Sequence, residues 1–350
     1  MIDEGIALAR ELNDQYVIGR TLGVRALHHY FFMAFRESID YGEQAAELLN
    51  EWGALWDTAS FLPIIIFAYN MTGRFDDAQQ LVDEMLPLCE RVGHQVGRML
   101  TLRGAQWTAR ARDLDLFERS ARADIEENLD NNLGWESNGY TWLGVTLTWK
   151  GDWDGALENH RKGVEFGTPG AFDGWAASLL ATQLARMGRD DELRTLLEEK
   201  KDILEGLGPD STLGAITLAL GCIEATWLNG LHDITKSLGP QIEEILPRGV
   251  LYRVFDFRTM ELHAALASDA AQEWEGADEH FESAIAHARA VPLPIEEADV
   301  CLYRATSLIR RGESPDSPSV RELLDRAEEL LEGQGMQRYL ELMKTTLSLG

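Results

Sequence analysis

Residues 137–156, SNGYTWLGVTLTWKGDWDGA, decide the fold. Small residues at Gly144 and Ala156 allow two antiparallel helices to approach closely. Gly151 accepts the backbone of the turn between them, and Trp153 packs over that turn. The unit this implies is a helical hairpin.

The same grammar recurs along the chain. NMTGRFDDAQQLVDEML places Gly73, Phe75 and Ala78, and ARMGRDDELRTLLEE places Gly188 with Leu193 at the Ala78 position. EWEGADEHFESAIAHA supplies Trp274, Ala277, Phe281 and Ala284, and weaker copies turn near Asn229-Gly230 and Gly312. Ser38, Ala78, Phe117, Ala156, Leu193, Thr235 and Ala277 are equivalent points, 37 to 42 residues apart. These motifs resemble tetratricopeptide (TPR) units, with a period longer than the usual ~34 residues, so each hairpin carries extra helix or loop.

Helical periodicity supports the reading. Ala78, Leu81, Val82, Met85 and Leu86 form one apolar stripe, while Asp76, Asp77, Gln79, Gln80 and Asp83 take the opposite face. No stretch alternates apolar and polar residues with β-branched enrichment, as a half-buried strand would. The expected fold is all-α: a right-handed superhelix of about seven to eight hairpins forming a single TPR-like solenoid over residues 1–350. Stacked hairpins bury a continuous core that no single hairpin can bury alone.

Composition excludes several classes. Hydrophobic residues make up 45% and charged residues 26%, which are ordinary globular values that argue against long disorder. The longest apolar run, FLPIIIFAYNM at 61–71, is shorter than the ~20 residues a membrane span needs and holds Pro63. The start, MIDEGIALARELND, lacks a basic segment followed by an apolar block, so no signal peptide is read and a cytoplasmic location is expected. Cys89, Cys222 and Cys301 lie far apart in apolar helical surroundings and read as buried free thiols.

Fifty-nine acidic against 32 basic residues give a net charge of -27, which repels nucleic-acid phosphates and attracts basic partners. Only six of those basic residues are lysine. One segment runs against the trend: seven arginines between Arg91 and Arg122 face Asp113, Asp115 and Glu118. Arg103 and Arg110, seven apart on one helix face, form a candidate clamp for a partner's carboxylate or phosphate. The alternative is pairing with carboxylates of neighbouring repeats.

No phosphate loop, dinucleotide fingerprint, HExxH, GxSxG, CxxC or EF-hand loop occurs, so no catalytic residue, cofactor or metal is expected. His28-His29 and the pair His280 and His287 lack the further ligands a metal site requires. Trp52 and Trp56, four apart, read as packing between repeats. TPR geometry makes Asn138, Thr141, Val145, Thr148 and Trp149 the groove-facing residues of one first helix. Trp175, Ser178, Thr182 and Ala185 or Arg186 face it from the next repeat. That mixed polar and aromatic surface suits a peptide.

Residues 2–13 read as the second helix of a repeat whose first helix is absent, so the chain is expected to be a fragment, able to self-associate through its uncapped N-terminal end. Its long-period repeats, and the closing segment RAEELLEGQGMQRYLELMKTTLSLG, resemble the helical repeats that follow an ATPase module in two bacterial families. These are the class III adenylate or guanylate cyclases with an AAA-type ATPase, and the MalT/LuxR-type ATP-dependent regulators. The resemblance implies a non-catalytic protein-binding and regulatory module for signal transduction, whose partner includes an upstream domain of the same chain. The alternative it carries is a small-molecule sensor of the MalT type.

Overall fold

In the computed structural model, described for residues 2–110, 113–131, 134–168, 170–291 and 293–349 without the side chains of 105–110 and 131, the chain is all-helical. Among these residues the sole β feature is one isolated antiparallel bridge, Tyr252 with Thr259. The chain divides into two compact units: residues 1–110 with 247–250, and residues 111–246 with 251–350. No described helix is long and apolar enough to cross a membrane.

Unit 1 holds α1 (Ile2–Glu11), α2 (Gln15–Phe31), α3 (Phe35–Glu51), α4 (Leu55–Phe61), α5 (Pro63–Met71), α6 (Phe75–Val92) and α7 (Gln95–Arg110). Its turns repeat with a strict rhythm. Asn13, Met33, Gly53, Gly73 and Gly93 all take a left-handed backbone, twenty residues apart each time, and the peptide N–H just beyond each reaches back to the helix end. The expected ~40-residue repeat is therefore two equal half-repeats, and at Asn13 and Met33 a non-glycine residue occupies the turn.

The stripe read on α6 is buried at Ala78, Val82 and Met85, and continues through Leu88 and Cys89. Leu81 and Leu86 sit at its half-buried margins. Trp52 and Trp56 stand outside the core, 61% and 56% exposed, their rings tilted against Tyr16 and His94. They do not fill an interface between repeats as periodicity implied.

Unit 2 holds α8 (Leu114–Asn131), α9 (Glu136–Trp149), α10 (Trp153–Phe166), α11 (Trp175–Arg186), α12 (Asp190–Glu199), α13 (Lys201–Glu205) and α14 (Leu213–Leu228). It continues with α15 (His232–Ile245), α16 (Met260–Ala270), α17 (Trp274–Ala290), α18 (Pro294–Arg310), α19 (Pro318–Gly333) and α20 (Gln337–Thr346). These are more helices than seven or eight hairpins supply across the chain. Pro63 starts a new helix directly after α4, Lys200 separates α12 from α13, and α20 adds a terminal helix.

The motif at 137–156 folds much as its residues dictate. Gly151 takes a φ of +78°, and the Trp153 indole N–H donates to the Thr148 carbonyl at 3.2 Å across the turn. Gly144 meets the His160 ring, so close that a Cβ there would lie 2.5 Å from it. The close approach read from Gly144 and Ala156 is therefore built against a histidine one turn beyond Ala156.

A helix at the edge of a fold buries one stripe, whereas a helix buried all round has lost its outward face to a covering element. Every residue of α11 is buried, and nearly every residue of α9 and α14. Two elements cover α11 within unit 2: the non-helical segment 251–259, and α20, whose Thr346 hydroxyl donates to the Arg186 carbonyl at 2.9 Å.

Candidate functional site

Segment 251–259, LYRVFDFRT, is a small hairpin buried inside unit 2. Its ends close on each other: the Met260 N–H donates to the Leu251 carbonyl at 2.9 Å, and the Arg253 N–H to the Arg258 carbonyl at 2.7 Å. Phe255 and Phe257 take φ values of +81° and +56°, a region that bulky side chains avoid. Such backbone persists only where the surroundings over-determine it, at a cost of order 1–3 kcal/mol per residue. Here the surroundings are aromatic. Phe255 sets its ring edge-on to Trp175 (centroids 4.9 Å apart) and to Trp142 (5.8 Å).

The hairpin's charges meet a carboxylate cluster drawn from two helices. Glu224 on α14 is the hub, accepting from Arg186 at 2.8 Å, Arg253 at 2.7 Å and the Tyr303 hydroxyl at 2.7 Å. Arg253 also grips Asp256 within the hairpin through two N–H groups. Arg258 reaches Glu296 at 3.0 Å and pairs with Asp299, both on α18, and Asp299 accepts from the Tyr339 hydroxyl of α20 at 2.7 Å. Thr259 then caps α16 with its hydroxyl oxygen, while its N–H (2.6 Å) and O–H (2.9 Å) both donate to Glu296.

All these charges are buried, so each depends on its partners. Burial pushes Glu224 towards neutrality, but Arg253, Arg258 and Arg186 outweigh it and hold the carboxyl well below its usual range. For Glu296 burial prevails over Arg258 and the Thr259 donors, and its pKa rises to about 7. Three guanidiniums therefore face three carboxylates and a fourth that shares its proton near neutrality. Two buried histidines border the cluster. Burial first, then neighbouring arginines, lower His160 and His263 to about 3, so both are neutral at physiological pH. The His263 Nδ1 lies 2.9 Å from the Thr259 carbonyl, which fixes its proton on that nitrogen.

The groove residues expected from the sequence, Asn138, Thr141, Val145, Thr148, Trp149, Trp175, Ser178 and Thr182, are all inside unit 2. Trp175 touches the hairpin through Phe255. Thr148 bonds to the Gln183 amide oxygen at 2.8 Å, Trp149 packs near Phe117, and Thr141 and Thr182 bond back to their own helices. Arg186 enters the cluster. In unit 1, Arg103 is buried at 2% exposure, and the Arg110 side chain lies outside the described residues.

Arg253, Asp256, Arg258, Glu224, Glu296 and Asp299 carried no expectation. The available signal was a run of aromatic and charged residues that no helical period accounts for, wedged between Pro247 and the Thr259 cap. Cys222 and Cys301 are free and buried, with thiols pushed up to about 12, beyond the range in which a thiolate nucleophile forms at neutral pH. Among the described residues no three His, Cys, Asp or Glu side chains gather as metal ligands. The arrangement can hold an extended segment by aromatic packing and charge-assisted hydrogen bonds. Searched against protein-family models and curated proteins, the chain matches none.

Proposed function

We propose that this chain is a non-catalytic, TPR-like protein-binding and regulatory module, a right-handed superhelix working in the cytoplasm. Its ligand is an extended peptide that takes the place of segment 251–259. The observation that carries this is the hairpin itself, held as a bound peptide is held: an aromatic anchor at Phe255 between two tryptophans, flanked by Arg253 and Arg258 on buried carboxylates. Aromatic and arginine anchors in desolvated pockets are the usual hot spots of an interface. The strained backbone at Phe255 and Phe257 makes the resident segment an imperfect occupant, which a partner free of that strain can outcompete. The net charge of -27 favours a basic, arginine-bearing partner.

The test uses the full chain with 252–258 replaced by a Gly-Ser linker, its helicity first verified by circular dichroism. Calorimetric titration with a synthetic peptide of residues 250–260 should show saturable 1:1 binding, and a scrambled peptide should bind at least tenfold more weakly. A folded chain that ignores the peptide, or accepts the scrambled one equally, would remove the reading.

A further inference from the structure

A second concavity in unit 2 has a different chemistry. Between α17 and α19, floored by α18, runs a groove of roughly 520 Å³, within the range of small-molecule sites. Each helix contributes one stripe: Ile285 and Arg289 from α17, Arg304 and Leu308 from α18, Leu323 and Arg326 from α19. Helical spacing of three or four residues puts an apolar and a cationic side chain on the same wall three times over.

The guanidiniums are incompletely spent. Arg289 and Arg326 converge on one carboxylate, Glu297, through Nε contacts of 2.8 and 2.9 Å. Burial opposes ionisation of Glu297, but the two arginines overcome it and hold the carboxyl below its usual range. Arg326 is fully engaged, since it also gives a terminal nitrogen to Glu329 at 2.8 Å, whereas Arg289 spends only its Nε on Glu297. Arg304 gives one terminal nitrogen to Glu282 at 3.0 Å, while its Nε is buried with no hydrogen-bond partner. A buried N–H without a partner costs free energy, so the Arg304 guanidinium is under-satisfied where it stands. Glu322 at the rim is the remaining acidic group lining the groove. Beside these donors, Leu308 and Leu323 are only half-buried, leaving an apolar strip at the mouth.

We propose that this groove binds a small organic anion, a carboxylate on an aliphatic body. The head accepts from Arg304 and from the free ends of Arg289, and the body lies over Ile285, Leu308 and Leu323. Arginine suits the head because its planar fork matches a carboxylate with two parallel hydrogen bonds. The apolar strip excludes a bare inorganic anion as the best ligand, since such an ion leaves that strip wet. This site does not rest on the peptide reading of segment 251–259.

Octanoate, octylamine and acetate, titrated into the full chain by calorimetry, separate the contributions of head and body. Octanoate should bind at least tenfold more tightly than octylamine, which has the same body and the opposite charge, and more tightly than acetate, the head alone. Arg304→Gln should weaken octanoate about tenfold, and Leu323→Trp, which fills the strip from a half-buried position, should abolish binding while circular dichroism stays unchanged. Equal affinity for octylamine, or octanoate binding that survives both substitutions, overturns the proposal. The chain with 252–258 replaced should still bind octanoate, so this site and the peptide site fail separately.

Discussion

Unit 1 and unit 2 are built from the same helical hairpin and differ in what interrupts it. In unit 1 the left-handed turns fall every twenty residues from Asn13 to Gly93, and its helices bury apolar stripes except for α5, which is buried all round. In unit 2 the left-handed turns at Gly151, Gly188, Gly230, Gln272 and Gly312 fall 37 to 42 residues apart, near twice that interval but less regular, and between α15 and α16 the chain leaves the helical pattern to place two strained phenylalanines and two arginines in the interior. Regular spacing needs only local turn chemistry. The irregular unit maintains a buried charge cluster that no repeat requires.

The largest expected contrast between the units is in acid. A histidine whose folded pKa is depressed contributes stability present above its unfolded value of 6.5 and lost as pH falls towards the folded value. For His160 and His263, at about 3, the limiting loss is on the order of 5 kcal/mol each. Glu296 runs the other way. Its pKa of about 7 is raised, so its contribution is full below 4.5 and lost as pH rises through 7, which offsets one histidine between pH 6.5 and 4.5. Below 4.5 that offset ends and protonation of Glu224 adds to the loss. Amide exchange read by mass spectrometry should show unit 2 losing protection steeply below about pH 4.5, ahead of unit 1. Uniform loss across both units would mean the buried histidines do not govern acid unfolding.

Removing the hub tests the cluster at fixed pH. Glu224→Gln leaves Arg186, Arg253 and Arg258 without their shared countercharge, and breaking a buried pair in this way costs about 3–5 kcal/mol. An exposed pair of unit 1, Arg74 with Asp77, should lose under ~1 kcal/mol on Asp77→Asn. Urea denaturation of the two variants at pH 7 reads the ratio. Similar midpoints would place the cluster in contact with water.

Phe255 separates packing from strain. Phe255→Ala loses the contact with Trp142 and Trp175 while keeping a Cβ in the left-handed region, and should cost about 3–5 kcal/mol. Phe255→Gly loses the same contact but relieves the backbone, so it should be no worse than alanine despite the usual entropic penalty of glycine, to within about 1 kcal/mol. If glycine is the worse of the two by several kcal/mol, the φ of +81° carries no strain worth relieving.

Legibility in the sequence followed the same divide. Gly73, Gly151, Gly188, Gly230 and Gly312 could be read as turns because a glycine after a helical stripe has few other roles, and each takes the left-handed backbone expected. Met33 and Gln272 take that backbone with nothing in the local composition to announce it, and Asn13 does so with only asparagine's own tolerance of the region as a signal. The cluster was illegible for a different reason. Glu224 meets Arg186 across 38 positions and Tyr303 across 79, and no local period reports such distances. The register that gave Trp175, Ser178 and Thr182 an outward face followed from helix geometry alone, and periodicity carries no sign of a covering segment.

The smallest effect sharpens the comparison most cleanly, because it touches unit 1 at a turn and nothing else. Asn13 is exposed, holds φ at +51°, and its N–H donates to the Arg10 carbonyl at 3.1 Å, the same closure made at Gly53 and Gly73. Asparagine tolerates this region better than most residues, and glycine tolerates it without a Cβ penalty. Asn13→Gly therefore trades a small relief of strain against a larger entropy loss on folding, and should change stability by less than about 1 kcal/mol. Gly73→Ala at the equivalent turn puts a Cβ into φ +74° with nothing returned, and should cost about 1–2 kcal/mol. Thermal melts of the two variants then test whether a twenty-residue spacing of turns is a structural rule of unit 1. If it is, the two substitutions differ in the stated order and both leave the unit 2 transition where it was.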